Sequence, residues 1–178
     1  MTPELAAAID EFIEGWPVIL IDGPAGAGKT TLAAEIVAHV APKSAAVIHM
    51  DDLYGGWTGL NDELADYLSE EIEPQIRAGD EIVHRRYDWH SDRFAESVRL
   101  PATDVLIIEG VGSGHPVMSD VADLLVWVEA DPALCERRWL DRDGPQMNEN
   151  VATWNDTQTA HFERHRTRQR ADVIVSTG

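Results

Sequence analysis

The stretch Gly23-Pro24-Ala25-Gly26-Ala27-Gly28-Lys29-Thr30 is the strongest indication of the fold, because it matches the pattern G-x-x-x-x-G-K-[ST] at every fixed position. Glycines at this spacing let successive backbone N–H groups turn inward around phosphate oxygens, and a following helix presents its positive end to the same anion. At ordinary glycine usage, a chance match in a chain of this length is roughly a one-in-a-hundred event. The stretch therefore predicts a phosphate-binding loop (P-loop) between a strand and a helix.

The residues of this loop have separate predicted tasks. Lys29 would reach the β- and γ-phosphates of a nucleotide, and the hydroxyl of Thr30 would ligate Mg²⁺. The only lysines are Lys29 and Lys43, and neither belongs to the Asn-Lys-x-Asp segment with which GTPases read guanine. ATP and Mg²⁺ are therefore the expected ligands. We expect the nucleotide to contact Gly23, Ala25, Gly26, Ala27, Gly28, Lys29, Thr30 and Thr31.

Apolar runs alternate with segments of helical spacing on both sides of this loop. The runs are continuous, as in strands buried on both faces of a parallel sheet, and they cover 17–22, 45–50, 104–109, 124–128 and 172–175. This alternation predicts an α/β fold of the P-loop NTPase type, a three-layer αβα sandwich with a five-stranded parallel sheet. The stretch 81–100 differs and predicts a small hairpin insertion near the acceptor site. No linker divides the chain, so we expect 1–178 to form one domain.

The composition limits the expected partners. The formal net charge is −18, from 32 acidic and 14 basic residues, so the surface should repel DNA and RNA. No apolar run approaches the roughly 20 residues that span a bilayer, and we expect no membrane association. The single cysteine, Cys135, cannot form an internal disulfide, and the acidic start of the chain does not resemble a leader. These features favour a cytoplasmic setting and leave a homo-oligomer open.

Carboxylates follow two of the predicted strands. Asp51 and Asp52 come directly after the second strand, and Glu109 ends the third. Because ligands of a doubly wound sheet bind at the carboxyl ends of its strands, these acids should converge on the P-loop. A buried carboxylate is costly unless it is paired or binds a metal. We assign Glu109 to Mg²⁺ and either Asp51 or Asp52 to the base that accepts a proton from an attacking hydroxyl. For Asp52, capping a turn is the alternative.

Three further stretches, 50–54, 86–89 and 104–110, read Met-Asp-Asp-Leu-Tyr, Arg-Tyr-Asp-Trp and Asp-Val-Leu-Ile-Ile-Glu-Gly. In this order they resemble the uridine kinase, phosphoribulokinase and bacterial pantothenate kinase group of P-loop kinases, and the likeness runs from about residue 17 to residue 143. The resemblance implies that Asp51 is the general base and that Glu109 lies beside the metal. It also implies that the acceptor contacts Tyr54, Tyr87, Asp88 and the aromatic Trp89.

The chain departs from the uridine kinase pattern at two places. Uridine kinases have a histidine five residues after the tyrosine matched by Tyr87, whereas this chain has Asp92 there and places His90 two positions early. After Glu109, the glycine-rich stretch 110–114 lacks the apolar continuation that uridine kinases have. One interpretation of this stretch is a tight surface turn.

Arginines cluster in two short stretches, with three between Arg137 and Arg142 and four between Arg164 and Arg170. The first stretch falls in 137–150, which we predict to be a lid, because kinases bring guanidinium groups over the transferred phosphate. We expect Arg138 and Arg142 to neutralise its charge. The second stretch is typical of a solvated helix face.

Together these parts predict a kinase that transfers the γ-phosphate of ATP to a hydroxyl of a nucleoside-like small molecule. Asp51 would accept the hydroxyl proton, while Lys29 and the lid arginines would neutralise the developing charge. One alternative is a nucleoside monophosphate kinase, in which Arg85 or Arg86 binds the acceptor phosphate. The other is an ATP-binding regulatory module with little turnover.

Replacing Lys29 tests the P-loop assignment. Lys29→Ala should abolish phosphate transfer and weaken ATP binding, because the variant loses the only lysine that can reach the phosphates. Calorimetry and a turnover assay check both effects, with Lys43→Ala as the control. Unchanged affinity and turnover in Lys29→Ala would contradict the assignment.

Overall fold

The structure is a computed structural model that describes residues 1–144 and 148–178, with no side-chain description for 143, 148 and 149. Its strands are β1 (Val18–Asp22), β2 (Ala45–His49), β3 (Ile82–Asp88), β4 (Arg93–Leu100), β5 (Val105–Glu109), β6 (Leu124–Glu129) and β7 (Val173–Ser176). Its α-helices are α1 (Pro3–Phe12), α2 (Lys29–Val40), α3 (Asp62–Tyr67), α4 (Glu73–Ala78), α5 (Pro132–Asp143), α6 (Asn148–His165) and α7 (Thr167–Arg170). A π-helical turn, Leu68–Ile72, joins α3 to α4.

Five of the strands form one parallel sheet in the order β2-β5-β1-β6-β7. Every residue of β1 and of β5 is buried, which explains why their sequences are apolar without alternation. The predicted five-stranded parallel sheet is therefore confirmed. The order places the carboxyl ends of β2, β5 and β1 side by side, and these ends carry the site.

The sheet is covered on both faces. Alternate side chains of a strand point to opposite faces, so Leu20 packs on one side while Ile19 and Ile21 pack on the other. The side of Leu20 is covered by apolar residues of α3, α4 and α6, and the other side is covered by those of α1 and α2. This arrangement is the predicted three-layer sandwich.

The remaining strands, β3 and β4, pair antiparallel in a separate two-stranded hairpin, as predicted for 81–100. Their register shifts between Arg85 and Tyr87. The shift is a bulge, which re-aims the side chains that follow it.

The region predicted to be a lid begins within α5. That helix starts after Asp131, whose carboxylate accepts the backbone N–H groups of Ala133 and Leu134. Residues 145–147 lie outside the described residues. Across 1–144 and 148–178, no helix is both long enough and apolar enough to cross a membrane.

Candidate active site

A cavity of about 1090 Å³ opens at the carboxyl ends of the parallel strands. Most of the predicted site residues line it: Ala25, Gly26, Gly28, Lys29, Thr30, Thr31, Asp51, Tyr54, Trp89, Glu109, Arg138 and Arg142. Four predicted residues do not appear among its lining residues, namely Gly23, Ala27, Tyr87 and Asp88.

The P-loop connects the end of β1 to the start of α2. Gly26 has a φ of +77°, and a Cβ built there would lie 2.0 Å from the backbone oxygen of Cys135 in α5. Only glycine fits so close an approach in this conformation. The first turn of α2 then directs the side chains of Lys29 and Thr30 into the cavity.

The ammonium group of Lys29 is buried beside three carboxylates. Its Nζ donates to the backbone oxygens of Gly23 at 2.8 Å and Pro24 at 2.9 Å. Burial lowers the pKa of Lys29, and the negative charges of Asp22, Glu109 and Asp51 oppose that shift. The carboxylates therefore favour a charged lysine at the P-loop.

Thr30 and Glu109 form the predicted metal pair. The Thr30 hydroxyl donates to Glu109 Oε1 at 3.0 Å, and Nδ1 of His49 lies 2.6 Å from the same oxygen. Burial alone would raise the pKa of Glu109, but the hydrogen bond from His49 and the charge of Lys29 lower it overall. Glu109 is therefore an ionised oxygen donor beside a hydroxyl, a donor set that suits Mg²⁺.

Thr30 and Glu109 suit a metal ion that takes most of its ligands from water and substrate rather than from the protein. Within the described parts of the chain, no three histidine, cysteine, aspartate or glutamate residues converge to hold a metal by themselves. Mg²⁺ usually retains waters and binds substrate phosphates in addition to one or two protein groups. Thr30 and Glu109 match that requirement.

Asp51 lies in the 3₁₀ turn Met50–Asp52, which directly follows β2. Its side chain is exposed to the cavity, and cavity walls surround the carboxylate. Desolvation by these walls raises the pKa of Asp51, opposed by the charge of Lys29, and the nearby charge of Glu109 raises it further. Asp51 is thus a more basic carboxylate than Glu109. Asp52 also lines the cavity.

Aromatic rings line the cavity beyond Asp51. The indole of Trp57 lies 4.9 Å from that of Trp89, 6.0 Å from that of Trp154 and 6.2 Å from that of Trp139, between ring centres. Tyr54 packs on Trp154 at 5.3 Å. These five residues, which we call the aromatic wall, come from the segment 50–58 after β2, from the turn between β3 and β4, and from helices α5 and α6.

Tyr87 and Asp88 support the hairpin next to this wall. The Tyr87 hydroxyl donates to Asp92 at 2.6 Å, and its ring contacts Trp89 edge-on at 5.2 Å. The carboxylate of Asp88 accepts from the backbone of His90 and the hydroxyl of Ser91, in the turn between β3 and β4. Their predicted contacts with an acceptor stay predictions.

The chain resembles known proteins over most of its length. The model of the family described as CobW/HypB/UreG, nucleotide-binding domain, matches residues 17–141. The match spans most of the chain, including the P-loop, Asp51 and Glu109. The chain belongs to this nucleotide-binding domain family.

The chain is also similar to curated uridine kinases, which confirms the predicted resemblance. That of Ureaplasma parvum serovar 3 is 29% identical over 167 residues, covering 83% of this chain and 80% of that protein. That of Halobacterium salinarum is 28% identical over 187 residues, covering 89% and 79%. A solved structure described as a "possible uridine kinase" from Bacillus stearothermophilus has a TM-score of 0.66 at 23% identity, covering 97% of this chain and 99% of that one. This likeness supports the fold.

In this CobW/HypB/UreG-type domain, both predicted lid arginines line the cavity. Arg138 donates to the hydroxyl of Thr177 at 2.9 Å, and that hydroxyl donates to the backbone oxygen of Ala27 at 2.7 Å. Arg142 lines the same cavity as Lys29 and Asp51, and its positive charge lowers the pKa of both.

The stretch 110–114 is not a surface turn, because all five of its residues are buried. The backbone N–H groups of Gly112 and Gly114 donate to a buried carboxylate, that of Asp22. The second arginine stretch is only partly the predicted solvated face. Arg168 pairs with Glu129 at the surface, but Arg170 donates to the backbone oxygen of Gly114.

Sequence reasoning missed several residues of the site. Asp22 ends the buried strand β1 and His49 ends the half-buried strand β2, so a polar residue at the end of an apolar run was the available signal. Trp57, Trp139 and Trp154 carried no local signal, since they meet only after α5 and α6 fold back over the turns.

Gly26→Ala tests the close approach of the P-loop to α5. The free energy of unfolding of the variant should fall by about 3 kcal/mol, because the added methyl group overpacks the contact with α5 and alanine is strained in the left-handed backbone conformation. The variant should also bind nucleotide poorly. Gly79→Ala is the matched control, because Gly79 also has a positive φ of +71° but a Cβ added there would meet nothing within 4 Å. It should cost only about 1 kcal/mol and leave binding intact. Urea unfolding and calorimetry measure both quantities, and equal losses in the two variants would contradict this account.

Proposed function

We propose that this protein is an ATP- and Mg²⁺-dependent kinase that transfers the γ-phosphate to a hydroxyl of a nucleoside-like small molecule. One observation carries the proposal. Asp51, a carboxylate with a raised pKa, lines the same cavity as the P-loop lysine and the aromatic wall. A nucleotide site alone requires neither the base nor the wall. The similarity to proteins named uridine kinase supports the same reaction class.

The proposed reaction has one proton transfer and one phosphoryl transfer. The acceptor hydroxyl oxygen bonds to the γ-phosphorus while the bond from that phosphorus to the β,γ-bridging oxygen breaks, and ADP leaves with the electron pair. The hydroxyl proton passes to the carboxylate of Asp51, whose raised pKa suits a proton acceptor. Catalysis of this kind depends mainly on positioning and on electrostatic stabilisation.

The other groups act on the phosphates. Mg²⁺, when bound, neutralises charge on the β- and γ-phosphates, and Thr30 with Glu109 would hold it. Lys29 orients the same phosphates from the P-loop. Arg142, which lies near both Lys29 and Asp51, is positioned to stabilise charge that develops on the transferred group. Arg138 is bound to Thr177, so we propose that it secures the P-loop.

The surroundings of the aromatic wall favour an acceptor without a phosphate. Arg85 stacks between the rings of Tyr67 and Phe94, with its guanidinium carbon 4.0 Å from each ring centre. Arg86 pairs with Glu96 on the hairpin surface. Neither arginine lines the cavity, so neither supplies the cation that a nucleoside monophosphate acceptor needs. A flat ring on the indoles suits the wall better.

A matched panel of acceptors tests the reaction. The kcat/KM of acceptor-stimulated ADP release should be higher for nucleosides than for their monophosphates, because the aromatic wall offers rings rather than cations. Pantothenate-like alcohols and simple sugars complete the panel. A monophosphate that exceeds its parent nucleoside would favour the nucleotide kinase alternative. ATP binding without any acceptor-stimulated release would favour a regulatory module.

Asp51→Asn tests the base. The variant keeps the shape of the side chain but cannot accept the proton, so kcat should fall by about 10² to 10⁴ while ATP affinity changes little. Asp52→Asn is the control, since Asp52 is its neighbour and lines the same cavity. Steady-state rates and calorimetry give the two quantities. If Asp52→Asn is the crippled variant, the base has been assigned to the wrong neighbour.

A further inference from the structure

A single buried carboxylate joins the P-loop to the stretch 110–114. Asp22 is the last residue of β1 and is completely buried. Its Oδ1 accepts the backbone N–H groups of Gly23 at 2.7 Å and Gly112 at 2.9 Å. Its Oδ2 accepts the N–H of Gly114 at 3.0 Å. Two loops that follow neighbouring strands are therefore bound to one side chain.

The stretch 110–114 needs this carboxylate. The hydrogen bonds that it donates to Asp22 are buried, and a buried N–H group without a partner costs about 1 to 3 kcal/mol. Gly112 has a φ of +86°, and a Cβ at Gly114 would lie 3.0 Å from Oδ2 of Asp22. Glycine at both positions lets the backbone come close enough for the carboxylate to accept both N–H groups.

The same stretch forms part of the acceptor end of the cavity. Gly110 and Val111 line the cavity, and the backbone oxygen of Val111 accepts the hydroxyl of Tyr54, a member of the aromatic wall. Asp22 itself does not line the cavity. Two successive hydrogen-bonded links thus connect the start of the P-loop to the aromatic wall.

We propose that Asp22 is a positioning residue that fixes the P-loop relative to the aromatic wall and thereby sets the affinity for nucleotide. Its charge also opposes the effect of burial on Lys29, and among the charges that act on Lys29 that of Asp22 is the largest. The proposal concerns nucleotide binding, so it holds whatever the acceptor is.

The protonation state of Asp22 provides a second way to weaken the link. Burial raises the pKa of Asp22 to about 6, opposed by the backbone hydrogen bonds and by Lys29. A protonated carboxyl has one acceptor oxygen fewer for the N–H groups that face it. Charged and titratable side chains from three helices pack around this junction. Lys29 comes from α2, His161 of α6 lies beside Gly112, and Arg170 of α7 donates to the backbone oxygen of Gly114.

Asp22→Asn in the full chain tests the proposal. An amide keeps the volume and the Oδ1 contacts, but its NH₂ group cannot accept from Gly114. At pH 7.5 we expect about tenfold weaker binding of Mg·ATP by calorimetry, as loss of one charged hydrogen bond implies. The melting temperature should change little, because the variant also removes the cost of a buried charge.

Asp104→Asn is the matched control. Asp104 precedes β5 at the opposite end of the sheet, and its carboxylate accepts the backbone N–H of Ser44 at 2.7 Å. This variant removes the charge of a carboxylate that accepts a backbone N–H far from the cavity, so its ATP affinity should equal that of the wild type. Between pH 7.5 and pH 5, the affinity ratio of wild type to Asp22→Asn should fall toward one, since the wild type becomes protonated at Asp22. A merely structural role would not produce that convergence.

Three results would overturn the proposal. The first is equal ATP affinity in Asp22→Asn and wild type at pH 7.5, and the second is an affinity ratio that does not change with pH. Should Asp22→Asn fail to fold, Asp22→Ser replaces it, since the smaller side chain leaves room for a water between the loops. Failure of both variants to fold is the third result, because Asp22 would then be a requirement of the fold rather than of nucleotide affinity.

Discussion

The buried ammonium group of Lys29 is the charge on which the rest of the site depends. A lysine only 8% exposed is costly unless nearby negative charge compensates for it, and here three carboxylates do so. Asp22 ends β1, Glu109 ends β5 and Asp51 follows β2. The three meet because β2, β5 and β1 are neighbours in a parallel sheet and end at the same edge. The strand order is therefore what makes a charged lysine tolerable inside the P-loop.

The same carboxylates differ in basicity because their surroundings differ. Glu109 accepts hydrogen bonds from His49 and Thr30, and its pKa is lowered. For Asp51, desolvation by the cavity walls together with the charge of Glu109 outweighs the attraction of Lys29, and its pKa is raised. Two neighbouring carboxylates whose pKa values are moved apart can take separate roles, one as an ionised ligand and one as a proton acceptor. The proposed assignment of Glu109 to Mg²⁺ and Asp51 to the base rests on this difference.

The sequence predicted the features that are local and missed those that depend on distant contacts. The P-loop and the acids at the strand ends are encoded in short stretches, so the amino-acid order alone was enough to put Lys29, Thr30 and Glu109 at one edge of the sheet. The stretch 110–114 looked like a surface turn because exposed and buried glycine loops have the same composition. Only the position of Asp22, 92 residues from Gly114, shows why this one is held inside the fold.

Helix α5 links the two ends of the cavity. Arg138 and Arg142 are four residues apart and share one side of the helix, while Trp139 belongs to the aromatic wall. Any rigid displacement of α5 therefore moves the guanidinium groups and the indole together. An acceptor that packs against Trp139, as proposed for the aromatic wall, would also affect where Arg142 lies relative to Asp51 and Lys29. In the proposed kinase, recognition of the acceptor and stabilisation of the transferred phosphate are for this reason not independent, and a substitution at Trp139 is expected to change kcat as well as KM.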